Sequence, residues 1–234
     1  MTKYKNLSII GTSHIAKQSL NEVKSIIEKE KPDIIALELD KKRFYALMHS
    51  KKEKIRMYDI RKIGIKGFLF SLIGAWAEKK LGEHVGVMPG SEMKRAINLA
   101  KKYKIKIAFV DQDVEITLKR LSKTLSWREK WNFIVDVVKA VILRKKEVEF
   151  DLRTVPSKKI IDKLVNQVKK RYPNIYKVLI KERNNVMAAN LESLMQINPL
   201  KNILAIVGAG HEEEIIRIIK ANKITYSFTL NQNT

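Results

Sequence analysis

Leu7-Ser8-Ile9-Ile10-Gly11-Thr12-Ser13-His14 near the start of the chain and Leu204-Ala205-Ile206-Val207-Gly208-Ala209-Gly210-His211 near its other end are two versions of one pattern. Each is a short apolar run, then G-x-x-H, then a stretch of helical character. A short apolar run bounded by glycine reads as a buried strand, and a glycine lets the chain leave the strand sharply with no Cβ in the way. The pair therefore predicts an α/β protein in which two strands each deliver a histidine just past their C-terminal ends. That edge of a parallel sheet is where ligands bind, so two distant segments are expected to build one site.

Reading outward from the first copy, Leu20, Val23, Ile26 and Ile27 recur at helical spacing over residues 16–30, and Pro32 ends that helix. Residues 34–37, Ile-Ile-Ala-Leu, form the next strand, and the resulting βαβ unit predicts that strands 6–10 and 34–37 are parallel neighbours. Residues 41–49 read as a short basic helix, and Ser91 as the N-cap of a helix from Glu92 to about Tyr103. Residues 105–110 are a third strand, 202–207 a fourth, and 212–221 its helix, whose acidic start suits the helix dipole. Ile224, Tyr226 and Phe228 alternate, so 224–230 reads as a final strand. Residues 114–146 and 157–197 are largely helical, broken near Ser126, at Pro156 and at Pro173. The expectation is one α/β domain over residues 1–234, with a largely parallel central sheet flanked by helices. Basic helical insertions are expected at about 41–82 and 114–200.

Bulk properties narrow the function. The 234-residue chain is 45% hydrophobic, enough for a core, and has no cysteine, which excludes disulfides, thiolate chemistry and cysteine zinc sites. The N-terminus has no signal-peptide pattern. The apolar stretch 68–77 falls short of the roughly 20 residues that span a bilayer. A cytoplasmic protein is expected, with peripheral membrane contact through 68–77 as the alternative. The net charge is +22, and residues 41–80 (12 basic, 3 acidic) and 119–171 (16 basic, 6 acidic) hold +19 of it. Such clustering suits either a solvated lysine-rich surface or an anionic partner. Nucleic acid is disfavoured, because no recognised motif is present and aromatics are sparse in 119–171; an anionic membrane surface stays open.

The residues at the expected strand ends are His14, Glu38, Asp40, Asp111, Asp113 and His211. Imidazoles with carboxylates at one edge are the usual ligand set of a divalent metal, which makes hydroxide available at neutral pH. Asp111 and Asp113 could equally cap the next helix or make a turn. Arg43 could pair with a site carboxylate or lie on the basic surface. Glu182-Arg183-Asn184-Asn185 interrupts an apolar helical stretch and is either solvated or turned into a site. His49 reads as solvated, and His84 lies in a glycine-rich loop.

In order along the chain, Gly11-Thr12-Ser13-His14 with Ser19, Glu38-Leu39-Asp40 with Arg43, and Pro89-Gly90-Ser91-Glu92-Met93 with Ala96 lead to a second set. That set is Asp111-Gln112-Asp113 with Thr117-Leu118-Lys119-Arg120, Glu182-Arg183-Asn184 with Met187-Ala188, and Gly208-Ala209-Gly210-His211. Together the six blocks resemble the TraB family, which includes PrgY, GumN and the TIKI proteins, and the chain looks like an archaeal-type member without the C-terminal membrane region. The resemblance implies a fold like that of the erythromycin-esterase and ChaN group. From the TIKI proteins it implies a metal-dependent peptidase in which His14, Glu38 and His211 hold zinc, manganese or cobalt. It also moves Arg43, Glu92, Glu182 and Arg183 to catalytic candidates beside Glu38. The expected partner is a peptide or small-molecule substrate, with a homo-oligomer left open. The alternative that the resemblance carries is a PrgY-like protein that sequesters a peptide or other ligand without turnover.

Overall fold

The computed structural model describes residues 1–12, 17–49, 90–143 and 158–231. Among these residues the sheet has five strands in the order β1-β2-β5-β3-β4. They are β1 (Thr2–Tyr4), β2 (Leu7–Thr12), β3 (Ile34–Leu37), β4 (Lys106–Phe109) and β5 (Ile203–Gly208). All pairings are parallel except that of β1 with β2, an antiparallel edge hairpin with Thr2 opposite Ile9. Lys5 makes its tight turn at φ 52°. The α/β expectation holds, but one neighbour relation does not. β2 and β3 are parallel yet not adjacent, because β5 lies between them and pairs with both. A strand from far along the chain thus takes the central place that the local βαβ rule gives to the next strand.

The helices are α1 (Lys17–Glu30), α2 (Lys41–His49), α3 (Ser91–Tyr103), α4 (Val114–Thr124) and α5 (Trp127–Leu143). There follow α6 (Lys158–Arg171), α7 (Pro173–Tyr176), a π-helical turn (Lys177–Glu182), α8 (Arg183–Ile197) and α9 (Glu212–Asn231). Gly90, in the left-handed region at φ 80°, precedes α3, and no side chain caps that helix, so Ser91 is its first residue rather than its cap. The expected last strand is absent: residues 224–230 continue α9. No glycine or proline interrupts the chain from Glu212 to Asn231. A helix already nucleated extends at one hydrogen bond per residue, and this outweighs a short alternating pattern.

Two cores explain why the central strands are apolar at nearly every position. Successive side chains of a strand face opposite sides of the sheet. Leu7, Ile9, Ile34, Ala36, Ile203, Ala205 and Val207 therefore meet Met187, Ala188 and Leu191 of α8 and Ile215 and Ile219 of α9. Ile10, Ile35, Leu37, Leu204 and Ile206 meet Val23 and Ile27 of α1 and Met93, Ala96 and Ile97 of α3 on the other side. Each fully buried leucine, isoleucine, valine or methionine among them contributes roughly 1.5–3 kcal/mol relative to exposure. A smaller cluster of Leu121, Leu125 and Val178 joins α4 to the π-helical turn. Among the described residues no helix is long and apolar enough to cross a membrane. The apolar stretch 68–77 and most of the expected 41–82 insertion lie outside them.

Candidate functional site

The C-terminal ends of β3, β4 and β5 converge on a buried polar cluster. Each of β3 and β4 is followed by two acids, Glu38 and Asp40 after β3 and Asp111 and Asp113 after β4. In each pair the first acid enters the cluster and the second starts a helix. Asp40 Oδ1 accepts from the Lys42 and Arg43 backbone N–H groups (2.7 and 3.0 Å) and begins α2. Asp113 Oδ1 accepts from the Glu115 N–H (2.7 Å) and caps α4. Spacing by two in a continuing strand would put both carboxylates on one face. Here the strands end at Leu37 and Phe109, and the turn into α2 or α4 carries the second carboxylate away from the first. The choice between capping and site is thus answered once each way.

Glu38, 2% exposed, is held on three sides. Its Oε2 accepts from the Gly208 backbone N–H at 2.5 Å, and its Oε1 accepts from Arg183 Nη2. His211 Nε2 lies 3.6 Å from the same Oε1. Arg183 also donates from Nε to Asp111 Oδ1 (3.0 Å) and from Nη2 to Asp111 Oδ2 (2.7 Å). Arg43 Nη1 reaches Asp111 Oδ2 at 2.8 Å. Two carboxylates and two guanidinium groups so form a network without net charge, the arrangement in which buried ions are tolerated. Burial alone would push the Arg183 guanidinium down. The charge of Glu38 and the bonds to Asp111 outweigh it and hold the group above its ordinary value.

His211 is placed by a turn. Its backbone N–H donates to the Gly208 carbonyl (2.9 Å), and its own carbonyl accepts from the Ile215 N–H (3.1 Å) to open α9. Its Nδ1 lies 2.5 Å from Asn184 Oδ1. An amide oxygen only accepts, so Nδ1 carries a proton, and Nε2 is the ring nitrogen that faces Glu38. Asn184 is fully buried, and its Nδ2 has no partner among the described residues.

The first glycines of the two G-x-x-H motifs, Gly11 in β2 and Gly208 at the end of β5, do different work from each other, and neither adopts a positive φ. Gly208 supplies the N–H that binds Glu38. Gly11 is still within β2, and a Cβ there would sit 2.9 Å from the Ala209 Cα and 2.7 Å from Glu212 Oε2. It is needed for close approach, not for turning.

Of the residues expected at the site, the structure brings Glu38, Arg43, Arg183 and His211 together, with Asp111 at their centre. Glu182 goes elsewhere: both its oxygens accept from Arg120 of α4 at 2.6 Å, which pulls its carboxyl below the usual range. Glu182 and Arg183 are consecutive in helical backbone, about 100° apart around the axis, so they point in different directions, one to Arg120 and the other to Glu38 and Asp111. Glu92 is buried in the first turn of α3. That helix leads back into β4, so this turn lies toward the same sheet edge. His49 ends α2, exposed, with Nδ1 3.0 Å from the Tyr45 carbonyl oxygen. His14 and His84 lie outside the described residues.

Asn190 is a neighbour of the cluster that the sequence reading does not single out, while Asn184 is read there only as part of the 182–185 stretch and Gly208 only as part of the second G-x-x-H. Asn190 Nδ2 donates to the Val110 carbonyl (2.9 Å) and ties α8 to the end of β4. The adjacency of Asn184 to Arg183 was the available signal. The π-helical turn that sets their phase has no signature in the residues themselves. Beside the cluster, with Asn184 as a shared wall, is a cavity of about 400 Å³ lined by Gly11, Asp162, Tyr176, Gly210 and Glu213.

A fit to a divalent metal can be judged from the donors. Two ligands at about 2.1 Å from a tetrahedral ion stand roughly 3.4 Å apart, and His211 Nε2 and Glu38 Oε1 are at 3.6 Å. Their chemistry, one imidazole nitrogen and one carboxylate oxygen, suits zinc and its neighbours. Among the described residues no group of three or more such side chains gathers.

The sequence matches the TraB/PrgY/gumN family over residues 2–226. It is 36% identical over 219 residues to MJ1365, an uncharacterized protein of Methanocaldococcus jannaschii, covering 92% of this chain and 53% of that one. It is 21% identical over 193 residues to the TraB domain-containing proteins of Mus musculus and Homo sapiens, covering 75% of this chain and 49% of each. The chain spans about half the length of the curated relatives it matches. With the family match running through every strand of the sheet and every residue of the buried cluster, the chain belongs to the TraB/PrgY/gumN family.

Proposed function

We propose that the chain is a metal-dependent hydrolase acting on peptides, with its reaction centre at Glu38 and His211. The observation that carries this reading is the approach of His211 Nε2 to Glu38 Oε1 at 3.6 Å beside a cavity of about 400 Å³. His211 and Glu38 would hold the ion, with His14 as the third ligand. A bound ion supplies a water whose pKa falls to about 7. Asn184 keeps the proton on Nδ1 so that Nε2 is a donor pair. The Gly208 N–H and Arg183 fix the Glu38 carboxylate in one orientation. Arg183, held charged by its two carboxylates, is the group able to steady negative charge developing on a substrate oxygen. Arg43 keeps Asp111, and through it Arg183, in place.

Metal analysis of purified protein, followed by hydrolysis of a peptide library by wild type, E38Q and H211A, tests the reading. Retained divalent metal that falls in H211A, with turnover lost in both variants, is expected. Absence of both metal and turnover in the wild type overturns it. One observation favours a second reading, a protein that sequesters a peptide or other ligand without turnover: both Glu38 oxygens already accept hydrogen bonds. In that case E38Q would bind the ligand as wild type does.

A further inference from the structure

α5 opens with an unusual surface. Trp127 is 84% exposed and Trp131 68% exposed, and a spacing of four places both indoles on one side of the helix. Large aromatics normally bury most of their area, so two left in water on one face are informative. Lys130 Nζ lies 4.2 Å from the Trp127 ring, and Arg128 is exposed between the two indoles in sequence.

The face is rigidly presented. Between the two tryptophans Glu129 points inward, 2% exposed. Its carboxylate accepts from the Ser126 N–H and hydroxyl (3.0 and 2.8 Å) and from the Asn174 N–H and Nδ2 (2.7 and 2.8 Å). Asn132 Nδ2 donates to the Arg171 carbonyl (3.2 Å), and Arg171 pairs with Asp136. The inward side of the first turns of α5 is therefore pinned to α6 and α7, and the tryptophans project from a fixed base.

We propose that this face of α5 docks on an anionic lipid bilayer, with Trp127 and Trp131 at the headgroup level. Tryptophan favours that boundary because its ring is apolar and its N–H polar. The charge beside the indoles is complementary: Arg128 is exposed and Lys130 lies over the Trp127 ring. Both belong to a stretch of sequence, residues 119–171, of 16 basic and 6 acidic side chains, and cations near an anionic leaflet are attracted within a Debye length. The sequence also separates a bilayer from a nucleic acid. After Trp131, residues 132–143 hold Lys139 as their one cation and are otherwise mostly apolar. A phosphate-tracking groove needs repeated cations along its length, whereas an interfacial helix needs them at one end and apolar residues beyond. This surface is separate from the Glu38 cluster, so the proposal stands or falls independently of any hydrolase activity.

The test is co-sedimentation of the full chain with vesicles of phosphatidylcholine alone or with about 30% phosphatidylglycerol, enough to give a negative surface potential. Binding to the anionic vesicles and not to the neutral ones is expected, weakening as salt rises. W127A/W131A should lower the partition at least tenfold with an unchanged circular dichroism spectrum, since both side chains are exposed. Leaving Trp76 in place, the blue shift of emission on binding should shrink in the same variant. K130E should bind less at low salt. Equal vesicle binding by W127A/W131A and wild type overturns the proposal. So does tight binding of a single-stranded oligonucleotide without vesicle binding. Self-association that hides the tryptophans, lost in W127A/W131A and unaccompanied by vesicle binding, also overturns it.

Discussion

Glu38 and Glu182 are both glutamates of family blocks, and the fold treats them in opposite ways. Glu38 leaves a strand end at the sheet edge and is surrounded by Gly208, Arg183 and His211. Glu182 closes a π-helical turn and meets one arginine, Arg120, whose side chain is about half exposed. Exposed ion pairs of that kind are worth little, while a buried one matters greatly once broken. The difference teaches that position within a block does not assign a residue to a site; the direction of its side chain does.

The sharpest break of this contrast is Glu38→Ala. It leaves Arg183 short of one of its two buried counter-charges and should cost about 3–5 kcal/mol of stability in urea unfolding. A loss below about 1 kcal/mol would mean that the cluster is solvated like Glu182. Glu129 is an intermediate case, a buried carboxylate held mainly by neutral donors. Burial raises its carboxyl, but Asn174 and Ser126 outweigh this and hold it below its ordinary value of 4.5. The stability it contributes is therefore present above pH 4.5 and is lost as pH falls through its lower folded-state value. Glu129→Gln should cost about 1.5–3 kcal/mol at neutral pH and flatten the acid limb of a stability curve. An unchanged acid limb would refute the assignment.

Asn184→Ala sharpens the Glu38 side of the comparison. With its acceptor gone, His211 should no longer be confined to the Nδ1–H form, and nitrogen chemical shifts of the labelled ring should move toward a tautomer mixture. Under the proposed metal-dependent reading, divalent-metal affinity should also fall by about 10–100-fold, as for lost outer partners of ligand histidines. Unmoved ring shifts would remove Asn184 from the site. The smallest effect belongs to Glu182→Gln, expected to change stability by about 0–1 kcal/mol and to leave the His211 ring shifts untouched. A large shift change would bring Glu182 back to the site.

The same physics explains what could be read from the residues. The β3 span at 34–37 and the α2 span at 41–49 are recovered as drawn, because their apolar periods and flanking signals are local. The adjacency of β2 and β3 was not recoverable that way, since it depends on where β5 inserts. Residues 224–230 carry a real alternation, but helix propagation from Glu212 overrides it. At the site, acids after strands point to the sheet edge and the resemblance singles out Glu38, yet which of Asp111 and Asp113 turns inward is left open by the residues alone. The pairing of Asn184 with His211 depends on a helical phase set by the π-helical turn, and no residue pattern announces it.

The central place of β5 also governs how the molecule comes into being. Thr12 Oγ1 bonds the Val207 carbonyl across 195 positions of chain, and contacts of such separation slow folding because a long loop must close first. During synthesis β2 and β3 emerge early, with the slot between them unfilled until residue 203 and beyond have left the ribosome. Gly208, whose N–H grips Glu38, and His211 arrive in that same late segment. The cluster cannot assemble on a partial chain. The buried cluster is therefore absent from the nascent polypeptide and forms only when the sheet is closed.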